Sequence, residues 1–164
     1  MRTKLTIAYV GTRFAGWQRQ DNAPTVQAEV EAAVAEIEGE AVCVHGAGRT
    51  DAGVHATGQV AHFESRRLHD PATWRRAINA HLSADIHVMA AGSVDTNFHA
   101  RHSARGKVYR YTVAVQEVCS PFLSPFAWHV GPLDLQAVLV GQLKGLAQDA
   151  FLGERGAATL GHGA

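Results

Sequence analysis

A chain of 164 residues, 46% of them apolar, is long enough to bury one real core and carries no charge run that would mark a disordered tail. Its 15 basic residues balance 15 acidic ones, so bulk charge argues against a strongly basic nucleic-acid module. No window approaches the ~18 consecutive apolar residues of a membrane span, and the opening MRTKLTIAYVG is too short for a signal-peptide core, so the expected compartment is the cytoplasm.

In chain order, Leu5, Ile7 and Tyr9 alternate with Thr6, Ala8 and Val10, which predicts a strand running into a turn at Gly11. Pro24 stands where a helix can begin. Val26, Val30, Val34 and Ile37 then make one apolar stripe, with Glu29, Glu31, Glu36 and Glu38 off it and Gly39 as the stop. Short strands are expected over 42–45 and 59–64, on either side of the glycine loop GAGRTDAGVH. Asp70 followed by Pro71 predicts a capped second helix whose inner face is Trp74, Ala77, Ile78 and Leu82. Strands over 86–94 and 107–116 complete the order. The expected fold is α+β of the split βαβ, ferredoxin-like type: an antiparallel sheet with helices on one face and the other face needing cover. After Gln136 there is one short helical stretch and then a glycine- and alanine-rich end.

The chemistry-bearing residues are few. Cys43 and Cys119 form no CxxC and read as ordinary buried or half-buried residues. Ten histidines invite a metal hypothesis, with Cys43/His45 and His99/His102 as pairs, but no HExxH and no group of three ligands occurs; scattered solvent or core histidines are the better account. The glycine loop fails as a phosphate cradle, because Asp51 stands where a dinucleotide fingerprint needs its third glycine and no lysine follows Gly53. Two readings of Asp51 remain. It either bonds its own backbone in a turn, or is held out of the sheet as a nucleophile or base with Arg49 beside it. His55 either orients this loop or packs. Tyr109 and Tyr111 alternate with Arg110 and fall on one strand face, which makes either a core pair or a platform for an unpaired base. Phe14, Trp17, Gln18, Arg19 and Gln20 form either a binding edge or a packed turn.

Three blocks carry a resemblance over roughly residues 3–135: GTRFAGWQRQ from Gly11, AGRTDAGVHATGQVAHF from Ala47, and FHAR from Phe98 leading to Tyr109-Arg110-Tyr111. In these the chain resembles the TruA-type tRNA pseudouridine synthases. The resemblance implies an isomerase that converts uridine to pseudouridine at positions 38, 39 and 40 of the tRNA anticodon arm, as a homodimer without metal or organic cofactor. It makes Asp51 the nucleophile, Arg49 a group holding the rearranged RNA, and Tyr109 the ring that stacks on the extruded base. Arg101, Arg105, Lys107 and Arg110 become phosphate contacts. Val10 departs from the acidic residue common at its place in the family. A second α+β half with an arginine for the catalytic aspartate is not found after about Leu135. The expectation is therefore a catalytic-loop domain over 1–135 and a diverged or truncated tail over 136–164, with weak or no activity alone, dimerisation through exposed apolar surface and marginal stability. The alternative class is a non-catalytic RNA-binding module of ferredoxin-like shape.

Overall fold

The computed structural model describes residues 1–132, 150–153 and 157–163. The chain divides into two compact units, Met1–Ala104 and Arg105–Ala164.

In the first unit, β1 (Arg2–Tyr9) buries Thr3, Leu5, Ile7 and Tyr9 on one face, as its alternation predicts. It pairs antiparallel with β3 (Ala56–Glu64) on one side and β4 (Ile86–Val94) on the other, and β2 (His45–Gly46) adds to β3. The sheet order β2-β3-β1-β4 with two intervening helices is the ferredoxin-like arrangement expected. Helix α1 (Val26–Glu38) starts two residues after Pro24, because the Thr25 hydroxyl accepts from the Ala28 amide as its cap; it stops at Gly39, whose φ of 79° is left-handed. Helix α2 (Pro71–His81) is capped by Asp70, whose carboxylate accepts from the amides of Ala72 and Thr73. Val26, Val30 and Val34 of α1 and Trp74 and Ile78 of α2 join Leu5, Ile7, Phe63, Ile86 and Val88 of the sheet in one buried cluster. Both helices therefore cover the same face.

Three expectations change. The strand expected over 42–45 is only His45–Gly46, because side chains of α1 take the Val44 backbone first. The Val44 amide donates to Glu31 Oε1 at 3.0 Å and its carbonyl accepts from Gln27 Nε2 at 3.0 Å. Glu31, and Glu38, which accepts from the Ser65 hydroxyl and the Arg66 amide, were placed off the apolar stripe and are buried rather than solvated. Cys43, expected inside, is exposed, since the bonds at Val44 hold this stretch along the surface; Cys119 is half-buried.

In the second unit, β5 (Val108–Ala114) pairs parallel with β6 (Trp128–His129) and antiparallel with β8 (Ala157–Gly163), and β7 (Ala150–Gly153) completes the order β6-β5-β8-β7. Val113 and Ala114 are buried, while Tyr109 and Tyr111 are exposed. The short helix expected after Gln136 lies outside the described residues. Among the described residues no helix is long and apolar enough to cross a membrane.

Candidate active site

Residues 47–55 connect β2 to β3, and hydrogen bonds to three neighbouring segments fix their path. At the entry, the Ala47 amide donates to the Val60 carbonyl at 2.7 Å and Gln59 Nε2 donates to the Gly48 carbonyl at 2.7 Å. At the middle, the Trp17 amide donates to the Thr50 carbonyl at 3.0 Å, and the hydroxyls of Tyr9 and Thr50 share a bond of 2.9 Å. At the exit, the Gly53 amide donates to the Phe14 carbonyl at 3.2 Å and the Gly11 amide donates to His55 Nδ1 at 3.1 Å. Burial pushes the Tyr9 phenol above its ordinary pKa, against smaller opposing effects of Thr50 and Gln59, so it stays a neutral hydroxyl under the loop.

The approach of the 11–17 segment to this loop depends on glycine. Gly16 has a φ of +98°, and a Cβ there would stand 2.4 Å from the Thr50 carbonyl oxygen. A Cβ on Gly11 would stand 2.0 Å from the Val54 carbonyl oxygen. Phe14 and Trp17 are buried, so the stretch left open as binding edge or packed turn is a packed turn at these positions, and it supports the loop from beneath.

Asp51 is exposed at the loop's apex, and its backbone carbonyl accepts from the Val54 amide at 3.2 Å in a turn. Among the described residues no ion pair or side-chain hydrogen bond engages its carboxylate. The side chain that would cap its own backbone under the turn reading thus meets no donor among the described residues. Arg49, two residues earlier, is likewise exposed. The arrangement is a carboxylate and a guanidinium displayed on a rigid support, open to a ligand that brings its own polar groups.

Of the other candidates, Arg101 is exposed in the first unit, on the segment that follows β4. Arg105, Lys107, Tyr109 and Arg110 belong to the second unit and are all exposed, with Tyr109 and Arg110 on successive positions of β5. Sequence reading missed Tyr9 as a support of the loop. Its core-face periodicity was visible, but the contact of its hydroxyl with Thr50 spans 41 positions and has no local signature.

It also missed a histidine array. His45 and His62 are cross-strand partners on the sheet face away from the helices, with rings stacked at 5.1 Å. His99 meets His62 at 4.7 Å and His45 at 5.7 Å, and His102 meets His99 at 4.4 Å. These four are assembled rather than scattered, although among the described residues no group of three or more metal-binding side chains is placed to hold an ion. His62 Nδ1 accepts from the Ala100 amide at 3.1 Å. Burial foremost, then the neighbouring His45 and His99, lowers His62 to a pKa of about 4, so this ring is neutral near pH 7.

Residues 5–103, which enclose both the loop and the array, match the family described as tRNA pseudouridine synthase. The chain is 46% identical over 143 residues to a protein named tRNA pseudouridine synthase A from Nostoc sp., covering 84% of this chain and 51% of the relative. It is 44% identical over 154 residues to one of the same name from Maridesulfovibrio salexigens, covering 93% and 55%. A third, from Neisseria meningitidis serogroup B, is 46% identical over 149 residues, covering 86% and 56%. The chain spans about half the length of the curated relatives it matches. With the match running through the loop that displays Asp51 and across the sheet that supports it, the chain belongs to the tRNA pseudouridine synthase family.

Proposed function

We propose that this chain carries the nucleophile loop of an enzyme that isomerises uridine to pseudouridine in the anticodon arm of tRNA, at positions 38, 39 and 40, with Asp51 as the catalytic carboxylate. The observation that carries the reading is Asp51 itself: exposed, without a protein partner among the described residues, and set on a loop tied at its entry, middle and exit. Family membership supports the substrate class.

The reaction is balanced without a redox partner. The bond from N1 of uracil to C1′ of ribose breaks, the base turns, and C5 bonds to C1′. The hydrogen on C5 leaves as a proton, and N1 takes one up. Departure of the base leaves C1′ electron-poor, a centre that an ionised, fixed carboxylate can meet, and the target base must leave its stack to reach it, at a few kcal/mol. In this reading Arg49 holds the displaced RNA beside Asp51, and Tyr109 stacks on the extruded base. Arg101, Arg105, Lys107 and Arg110 position the backbone through phosphates without reading sequence. The enzyme works as a cytoplasmic homodimer.

Release of tritium from tRNA labelled at C5 of uridine tests this directly. The unsubstituted protein, which spans about half the length of its relatives, is expected to release label only weakly, and Asp51→Asn to release none while still retaining tRNA on a filter. Binding without release by either form would identify a non-catalytic RNA-binding module instead.

A further inference from the structure

We propose that the imidazoles of His45, His99 and His102, together with the Arg101 guanidinium, form a proton-gated contact for phosphates of an RNA strand crossing the open face of the β2-β3-β1-β4 sheet. The inference rests on the RNA substrate proposed above, in which Arg101 already meets phosphate, and adds to that contact three imidazoles and a dependence on protons.

The array is built by the fold. After β4 the chain turns back over the open face, where the Phe98 carbonyl accepts from the Arg2 guanidinium and the Ala100 amide donates to His62. A closed turn then presents the outer rings: the Ser103 amide donates to the His99 carbonyl at 2.7 Å, and the His99 amide donates to Ser103 Oγ at 3.0 Å. His45, Arg101 and His102 are exposed, while His62 is covered beneath them.

The charged and titratable groups facing the array among the described residues are Arg2 and Lys4 of β1, His45 of β2, His62 and Glu64 of β3, and His99, Arg101 and His102 of the returning segment. Glu64 is the one carboxylate in this set, and Arg2 already pairs with it. Burial, then His102, His45, Arg2 and Arg101, holds His99 below its ordinary pKa. Rings 4.4 to 5.7 Å apart repel one another wherever more than one carries a charge, and a counter-anion relieves that repulsion. A phosphodiester supplies one, and its binding is therefore coupled to proton uptake. Beside the array, with Lys4 Nζ 6.0 Å from the Phe98 ring, lies a shallow trough of about 240 Å³ over β1 and β4. Thr6, Ala90 and Gly92 line it with small side chains that admit a backbone.

The test is an NMR titration of the histidine rings of the 164-residue protein, alone, with an anticodon stem-loop RNA, and with inorganic phosphate at equal concentration. With RNA, the pKa values of His45, His99 and His102 are expected to rise by about half a unit or more, and affinity to increase about three- to tenfold from pH 7.5 to 6. Inorganic phosphate is expected to shift them less; an equal shift would mean a free-anion site and overturn the strand contact. The doubly substituted His45→Asn, His102→Asn protein should keep the affinity seen at pH 8 and lose most of the pH dependence. Unchanged pH dependence in that variant overturns the proposal. RNA that perturbs amides of residues 47–55 while leaving the three pKa values in place also overturns it, with the substrate reading intact; RNA that perturbs neither sinks both.

Discussion

Tyr9 sits 4% exposed beneath the Asp51 loop, and its hydroxyl is bonded to the residue before Asp51. Tyr9→Phe keeps the ring in the core and removes that one bond, so about 1 kcal/mol of stability should go. A loosened Thr50 misplaces the neighbouring carboxylate, and kcat for tritium release should fall about tenfold with KM nearly unchanged. Equal losses in a guanidinium-melt midpoint without any kcat change would leave Tyr9 a packing residue only. His62 gives a second prediction at this scale. Its pKa is about 4 folded against 6.5 for an ordinary imidazole. The unfolded chain therefore takes up this proton first, and stability present above pH 6.5 is lost as pH falls from 6.5 towards 4. Each unit of difference is worth about 1.4 kcal/mol, so a loss on the order of 3 kcal/mol is expected over that range. His99, held low in the same direction, adds to it. Urea melts at pH 7.5, 6 and 5 read the loss, and His62→Gln should flatten it between pH 6.5 and 5. The loop that displays Asp51 was legible in the sequence as a candidate because its residues follow one another in the chain. The array was not, since residues 45, 62, 99 and 102 meet only through strand register and the return of the segment after β4.

Helix α1 is joined to the strand that feeds the loop by polar bonds as well as by valines. Glu31, 5% exposed, accepts from the Val44 amide, from Gln27 Nε2 at 3.0 Å and from the Arg19 guanidinium at 2.9 Å. Glu31→Ala strands a buried amide and should cost about 2–4 kcal/mol, whereas Glu36→Ala on the exposed side should stay within about 0.5 kcal/mol. Thermal melts of the two variants separate these outcomes. The helices themselves were legible, because Val26, Val30 and Val34 recur at the helical period and the Asp70-Pro71 cap is local. The fate of Glu31 was not. A carboxylate off the apolar stripe reads as solvated unless one knows that a strand amide points at it, and that amide also explains why β2 starts late.

At the scale of the molecule, one buried cluster closes within the first unit: among the described residues, every buried member of it lies between Leu5 and Val88. A fragment ending at Ala104 should therefore fold by itself, with a cooperative melt and dispersed amide resonances. A fragment that binds a hydrophobic dye and melts without cooperativity would show that the second unit is needed. The split βαβ order could be read ahead because three of its four strands are eight or nine residues long. In the second sheet β6 has two residues, and its later strands run through AFLG and AATLGHG, where alternation between apolar and polar residues is lost. The bonds described above for the Asp51 loop join residues between 9 and 60. A ribosome adds about 5–20 residues per second, so every partner of those bonds exists within seconds of initiation. The part of the site that must be most accurately shaped is thus the part whose shape waits on the least protein synthesis, set when β3 zips onto β1.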